Sequence, residues 1–181
     1  MHSVIKILEA GGLVLSPTDT IWGILCDASN PRAVENVYDL KKRADSKAMV
    51  CIVSDIEMLK RHIGEFPQKL NHYLNDQRPT TIIYNNPKGL AQNAIAQENT
   101  VAIRIVKHHF CTPLVQKFGK PLISTSANIS GAPHPQKFTD IEGEIISGVD
   151  HIVEIDKKKV NAQPSQIIKI EPSGEILLLR A

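Results

Sequence analysis

The stretch Ser16–Ala28 reads SPTDTIWGILCDA, and the apolar run that precedes it ends at Leu15. Its polarity changes abruptly, because Thr18, Asp19 and Thr20 place two hydroxyls and a carboxylate between apolar residues. A polar cluster between two apolar runs is typical of a strand end, where a rigid scaffold presents loop groups to a ligand. A surface turn built from Ser, Thr and Asp is the alternative interpretation of the same residues.

A second cluster repeats this layout further along the chain. The apolar stretch 121–123 runs into residues 124–131, which read STSANISG. Two strands that both end in hydroxyls predict a shared crevice at the carboxyl edge of an open α/β sheet, although a Ser/Thr-rich turn has the same composition. No G-x-S-x-G surrounds Ser126 and no histidine sits at an interpretable spacing, so we expect Ser126 and Asn128 to donate hydrogen bonds rather than attack.

Cations are concentrated in one short segment. Asn30 and Pro31 predict a helix start, as N-cap and first helical residue, and residues 41–47 beyond that helix read KKRADSK. A solvated helix end is one interpretation, since cations suit the negative end of the helix dipole. A phosphate-binding segment is the other, because Arg offers a planar fork and Lys a compact point charge.

Two further features lie between the polar clusters. The predicted strand 101–106 contains Arg104, whose charge either reaches solvent at an edge or points into a cleft. His108 and His109 have no ligating neighbour at metal spacing along the chain, so we predict a polar turn there and no metal site.

Composition indicates one globular, soluble domain over residues 1–181, with 42% hydrophobic and 22% charged residues. The net charge of +2 does not by itself indicate nucleic acid. Three widely spaced cysteines predict reduced core thiols and a cytoplasmic location. No apolar stretch is long enough to cross a membrane, and the N-terminus lacks the layout of a signal peptide.

Taken in order, the motifs resemble those of the YrdC-like family. Residues 17–23, PTDTIWG, resemble the family's Pro-Thr-Glu-Thr-x-Tyr-Gly signature, with Asp for Glu and Trp for Tyr. Four later segments also resemble family motifs: Lys41-x-Arg43 with Lys47, the Val-x-Val-Arg strand at 101–105, Ser126-x-Asn128-x-Ser130-Gly131, and 165–168 with the closing Arg180. Residues 77–81, QRPTT, depart from the family's Pro-Gly-Pro-x-Thr segment.

The resemblance implies a mixed α/β fold, a single twisted open sheet with flanking helices and one deep electropositive cavity. It also implies a threonylcarbamoyl-adenylate synthase, a nucleotidyltransferase that joins L-threonine, bicarbonate and ATP and releases pyrophosphate. A partner transferase would then use the product to modify tRNA. Mg²⁺ is expected with the triphosphate, held mostly by phosphates and water without dedicated protein ligands.

The resemblance further implies roles for individual residues. Lys41 and Arg43 are the expected catalytic residues. The ATP-binding set is Lys41, Arg43, Lys47, Ser126, Asn128, Ser165 and Arg180, and the threonine-binding set is Thr18, Thr20, Trp22 and Arg104. An RNA-binding module without synthase activity is the alternative function, although 4% aromatic residues are few for base stacking. A hydrolase that uses Ser126 is a second alternative.

Overall fold

A computed structural model describes residues 1–43, 49–158, 163–171 and 173–181. Within these ranges the helices are α1 (His2–Glu9), α2 (Pro31–Leu40), α3 (Ile56–Ile63), α4 (Asn71–Asn75), α5 (Cys111–Phe118) and α6 (Gly143–Ser147). The strands are β1 (Val14–Ser16), β2 (Gly23–Asp27), β3 (Val50–Val53), β4 (Thr80–Asn85), β5 (Thr100–Ile105), β6 (Leu122–Ser126), β7 (His151–Ile152), β8 (Gln166–Ile170) and β9 (Ile176–Arg180).

Helix α2 begins as its sequence predicts. Asn30 is the N-cap, and its side-chain oxygen accepts hydrogen bonds from the backbone N–H groups of Arg32 at 3.0 Å and Ala33 at 3.3 Å. Pro31 occupies the first helical position, where its missing N–H costs nothing. The helix runs to Leu40, and its C-cap is Lys41, the first residue of the cationic segment.

The described strands form one mixed sheet in the order β7-β1-β2-β6-β3-β5-β4-β8-β9. Strand β2 pairs antiparallel with both β1 and β6, so β1 and β6 run in the same direction. Their last residues, Ser16 and Ser126, are both register partners of Gly23. The expectation that the two polar clusters meet at one sheet edge is therefore confirmed, as is the mixed α/β class.

The core lies between the sheet and the helices packed on it. Helices α1, α2, α3 and α5 contact strands of the central sheet. The largest fully buried side chains include Leu8, Leu15, Trp22, Ile24, Leu25, Ile52, Ile82, Ile103 and Leu114. Within the described ranges, none of the helices combines the length and apolar character needed to cross a membrane.

Candidate active site

A cavity of about 450 Å³ collects most of the predicted site residues. It is lined by eight of them, Thr18, Thr20, Trp22, Arg43, Arg104, Ser126, Ser165 and Arg180. Val50, Arg104 and Ser124 also line it, and the register of β3 with β5 and β6 puts these three on one face of the sheet. The crevice expected at the sheet edge therefore extends from that edge over one face of the sheet.

Three of the residues that line this cavity are arginines. Arg43, Arg104 and Arg180 line it, and the described lining residues include no Asp or Glu. Burial lowers the pKa of Arg43, and burial together with the nearby Arg104 lowers the pKa of Arg180. These lowered pKa values reflect the cost of holding cations away from water, a cost that a bound anion would offset.

Arg104 is held by the loop between β1 and β2. Its Nη2 lies 3.2 Å from Asp19 Oδ1, and the arginine is only 5% exposed. The other carboxylate oxygen of Asp19 accepts a 3.2 Å hydrogen bond from the backbone N–H of Lys107. Asp19 thus fixes the guanidinium from one side and is itself fixed from the other.

The two threonines of this loop form a short hydrogen-bond chain. Thr18 donates its hydroxyl proton to the Ile21 carbonyl at 2.7 Å, so Thr20 must be the donor in the 3.0 Å contact between the two hydroxyls. Thr18 Oγ1 also accepts from the Thr20 N–H at 3.1 Å, and Thr20 Oγ1 accepts from Arg104 Nη2 at 3.4 Å. The Thr18 hydroxyl is therefore fully used within the loop, whereas Thr20 keeps accepting capacity.

Trp22 is fully buried, lines the cavity and packs against Phe138 with ring centroids 5.0 Å apart. Its carbonyl accepts a 3.0 Å hydrogen bond from Ala127 N–H, which joins the two polar clusters directly. Among the described residues, Trp22 Nε1 and Arg104 Nε are buried donors without a hydrogen-bond partner. Buried donors are normally satisfied, so a bound ligand or water is expected here.

Lys41 does not line the cavity, in contrast to the expectation that it contacts phosphate. It is 2% exposed, and its ammonium donates to the carbonyl oxygens of Ser126 at 2.5 Å and Asn128 at 2.6 Å. Burial, with a further contribution from Arg43, lowers its pKa to about 8. In this structure Lys41 therefore fixes the shape of the loop after β6.

Asn128 likewise does not line the cavity. Its Nδ2 donates to the carbonyls of Ile129 at 3.0 Å and Ala132 at 2.6 Å, which closes the loop on itself. Ser126, the last residue of β6, lines the cavity, and Asn128 stabilises the turn that follows it. Lys47, the remaining predicted ATP ligand, lies outside the described residues.

Ser165 and Arg180 meet at another part of the lining. Arg180 donates to the Ser165 carbonyl from Nε at 2.9 Å and from Nη2 at 2.7 Å. Ser165 Oγ lies 2.7 Å from Thr81 Oγ1, a buried hydroxyl that sequence analysis did not single out. His134, Ser124 and Thr125 also line the cavity without having been assigned a role; the last two belong to the quoted STSANISG cluster.

His108 and His109 gain a carboxylate neighbour through the fold. Asp156 Oδ2 lies 3.2 Å from His108 Nε2 and 3.6 Å from His109 Nε2. The partner is 48 residues away from His108 in the chain, which is why spacing along the sequence did not reveal it.

A sequence model of the Sua5/YciO/YrdC family, described as telomere recombination, matches residues 6–181. The chain belongs to this family. A putative threonylcarbamoyl-AMP synthase of Methanocaldococcus jannaschii is 33% identical over 170 residues, covering 92% of this chain and 78% of the relative. The threonylcarbamoyl-AMP synthase of Stenotrophomonas maltophilia is 29% identical over 181 residues, covering 98% and 96%.

Solved structures of the Sua5/YciO/YrdC family share the fold. Sua5 from P. abyssi, solved in complex with L-threonine, superposes with a TM-score of 0.87 at 22% identity over 98% of this chain. E. coli YciO superposes with a TM-score of 0.85 at 18% identity, covering 98% of this chain and 86% of that one. This chain spans about half of the P. abyssi Sua5 chain, 52%.

Proposed function

We propose that this chain is an L-threonylcarbamoyladenylate synthase, an enzyme that forms threonylcarbamoyl-AMP and pyrophosphate from L-threonine, bicarbonate and ATP. One observation carries the proposal: a cavity lined by three arginines, with no carboxylate among its described lining residues, lies between two hydroxyl-rich loops. Relatives named threonylcarbamoyl-AMP synthase match almost the whole chain and support the same activity.

The chemistry explains why such a cavity is needed. The threonine nitrogen bonds to the bicarbonate carbon with loss of water, and a carbamate oxygen then attacks the α-phosphorus of ATP. The bond from that phosphorus to the oxygen of the β-phosphate breaks, and pyrophosphate leaves. Carbamate, carboxylate and triphosphate repel one another, so preorganised cations and hydrogen-bond donors supply the main stabilisation.

On the nucleotide side, Arg43 would hold the phosphates and Ser126 would donate to the α-phosphate. Lys41 and Asn128 would act through the loop whose shape they maintain, since the Lys41 ammonium already holds two carbonyls of that loop. Ser165 and Arg180 would complete the nucleotide side. Lys47, which lies outside the described residues, is proposed as a phosphate ligand from the sequence alone. No covalent enzyme intermediate is required, because positioning and charge neutralisation supply the rate.

On the threonine side, Arg104 would meet the substrate carboxylate, and Thr20 would accept a hydrogen bond from the substrate. Trp22 would pack against the substrate methyl group. The unpartnered Nε of Arg104 and Nε1 of Trp22 support a polar ligand beside them. Thr18 would shape the loop, because its hydroxyl is already committed.

Mg²⁺ would enter with the triphosphate and screen its charge. The described lining residues offer no carboxylate, so phosphate oxygens and water would provide the coordination. We further propose that residues 1–181 act as one domain in the cytoplasm and that a separate transferase passes the product to tRNA. Contact with tRNA or double-stranded RNA belongs to the same proposal.

The deciding experiment incubates the chain with ATP, L-threonine, bicarbonate and Mg²⁺ and detects products by mass. Threonylcarbamoyl-AMP and pyrophosphate are expected in equal amounts, and neither when threonine or bicarbonate is omitted. Pyrophosphate release that is independent of threonine would overturn the proposal. Filter binding across salt measures RNA contact, since phosphate-dominated affinity falls steeply with salt. RNA binding without adenylate formation would favour the RNA-binding alternative, which the synthase names of the relatives do not favour.

A further inference from the structure

Residues 154–157, here called the brace, carry two adjacent side chains, Asp156 and Lys157, that contact two different segments near the cavity. Asp156 Oδ2 lies 3.2 Å from His108 Nε2, in the segment after β5. Lys157 Nζ lies 4.4 Å from the ring centroid of Phe138. Neither Asp156 nor Lys157 lines the cavity. Lys157 contacts Phe138, which packs against the lining residue Trp22, and Asp156 contacts His108, four residues beyond the lining residue Arg104.

The Asp156 contact leads to the threonine side of the cavity through the backbone. Lys107, the residue before His108, donates its N–H to Asp19 Oδ2 at 3.2 Å. Asp19 Oδ1 in turn lies 3.2 Å from Arg104 Nη2. A displacement of His108 therefore moves the N–H group that fixes the Asp19 carboxylate, and with it the Arg104 guanidinium.

The hydrogen bonds of His108 define how it contacts Asp156. His108 Nδ1 accepts from the backbone N–H groups of Phe110 and Cys111, each at 3.4 Å, at the start of α5. The ring proton is therefore on Nε2, which donates to Asp156. Burial lowers the pKa of His108, which favours this neutral ring. A metal ion on Nε2 would need that proton on Nδ1, where two N–H groups already point, so a hydrogen bond fits better than a metal site.

The Lys157 contact connects the brace, through Phe138, to Trp22, which lines the cavity. Phe138 lies between Lys157 and Trp22, with the two aromatic rings tilted by 58° at a centroid distance of 5.0 Å. The Lys157 ammonium is also held 2.6 Å from Glu154 Oε2, within the brace itself. A cation over an aromatic face is attractive, so Lys157 restrains the position of the Phe138 ring, which packs against the Trp22 ring that lines the cavity.

We propose that Asp156 and Lys157 are positioning residues for the threonine side of the cavity. Asp156 holds the segment that fixes Asp19 and Arg104, and Lys157 holds the Phe138–Trp22 pair. The identity of the substrate rests on the proposed function, but the contacts of Arg104 with Asp19 and of Trp22 with Phe138 form without ligand.

The first test compares Asp156→Gly with Asp156→Asn. Asp156 has a φ of 54°, a conformation that Gly and Asn adopt readily, so neither variant strains the turn. Asp156→Gly is expected to raise the KM for threonine about fivefold while the KM for ATP changes less than about twofold, because misplacing a binding group costs affinity on its own side. Asp156→Asn restores most of the threonine KM, since its amide oxygen accepts from His108. Lys158→Ala, at an exposed neighbouring lysine, is the matched control.

The second test uses the chain's single tryptophan as a reporter in the ligand-free protein. Lys157→Met is expected to increase acrylamide quenching of Trp22, whereas Lys157→Arg retains the cation over Phe138 and leaves quenching unchanged. Equal KM changes for both substrates in Asp156→Gly, or no change in quenching for Lys157→Met, would overturn the proposal. If the wild-type chain forms no adenylate, the proposed function fails, and the quenching comparison still decides whether the brace supports the Trp22 wall.

Discussion

The Lys41 ammonium lies 2.5 Å from the carbonyl oxygen of Ser126, a residue 85 positions further along the chain. A second contact, 2.6 Å to the Asn128 carbonyl, makes the lysine a bridge between two backbone groups of one loop. The same loop is tied to the backbone of Lys41, whose carbonyl accepts from Ser130 N–H at 2.8 Å. The sequence predicts Lys41 as a phosphate ligand. In the structure, Lys41 instead holds the loop that would contact the phosphate.

Lys41→Met should therefore affect both stability and activity. Loss of the ammonium removes a charge-assisted hydrogen bond from each of the Ser126 and Asn128 carbonyls, although the Ser126 carbonyl keeps a 2.9 Å hydrogen bond from the Asn128 N–H. We expect the free energy of unfolding to fall by about 2 kcal/mol. Adenylate formation should fall more than about tenfold, because the loop that carries Ser126 loses charge-assisted contacts of about 1.5–3 kcal/mol each and with them the shape that the reaction needs. Denaturant unfolding and initial rates measure the two effects.

Lys42→Met is the matched control for that variant. Lys42 forms an exposed ion pair with Glu144 at 2.8 Å, and exposed pairs contribute little. The free energy of unfolding of Lys42→Met and its rate of adenylate formation should stay near those of the wild type. Full activity in Lys41→Met would mean that the loop keeps its functional shape without the bridge.

The lowered pKa of Lys41 predicts opposite pH trends for activity and stability. The ammonium loses its proton as pH rises through about 8, so catalysis that depends on the bridge should decline above that pH. The unfolded chain keeps this proton up to the ordinary lysine pKa of 10.5. Between these values the unfolded state binds more protons, so the contribution of Lys41 to the free energy of unfolding rises with pH.

A pH–rate profile of kcat/KM, measured beside urea unfolding at the same pH values, checks this prediction. Lys42→Met should keep the alkaline decline in rate, and Lys41→Met should lose it. A wild-type rate that stays level to pH 10 would contradict the assignment.

Removal of Arg104 should lower the free energy of unfolding, and a second substitution at Asp19 should restore most of it. Arg104→Gln leaves the Asp19 carboxylate, 4% exposed, without its cation, and breaking a buried pair typically costs about 3–5 kcal/mol. The double variant Arg104→Gln with Asp19→Asn removes both charges and should recover most of that stability. Threonine binding should be lost in both, as measured by calorimetry on folded protein. Wild-type threonine affinity in the double variant would exclude Arg104 from the threonine site.

Arg43→Ala should act on the nucleotide alone. Arg43 lines the cavity, and loss of a charge-assisted contact should raise the KM for ATP by more than about tenfold. Threonine binding without ATP should change less than about twofold, and Arg43→Lys should recover part of the ATP affinity because it keeps the charge without the fork. Arg32→Ala, at an exposed arginine of α2, is the control. A comparable loss of threonine binding would contradict the assignment of Arg43 to the nucleotide side of the cavity.

The meeting of the two polar clusters was predictable because it depends on local patterns. Each cluster follows a short apolar run, and such runs pair as strands whatever the distance between them along the chain. The register partners of Gly23, Ser16 on one side and Ser126 on the other, bear this out.

The direction of individual side chains was not predictable in the same way. Lys41 and Arg43 are two residues apart, yet one holds backbone carbonyls and the other lines the cavity. Between them Lys42 has a φ of 51°, so the backbone leaves the helical conformation there. No periodicity in the sequence reports such a change.

By itself, the sequence determined the family, the mixed α/β class and the set of residues from which a site could be assembled, because order and residue type are enough for motifs. Only the tertiary structure decided that Arg43 lines the cavity while Lys41 and Asn128 shape the loop beside it, and that Asp156 contacts His108. The physical reason is that hydrogen bonds and ion pairs between distant segments depend on distances of a few ångströms, which the fold as a whole sets.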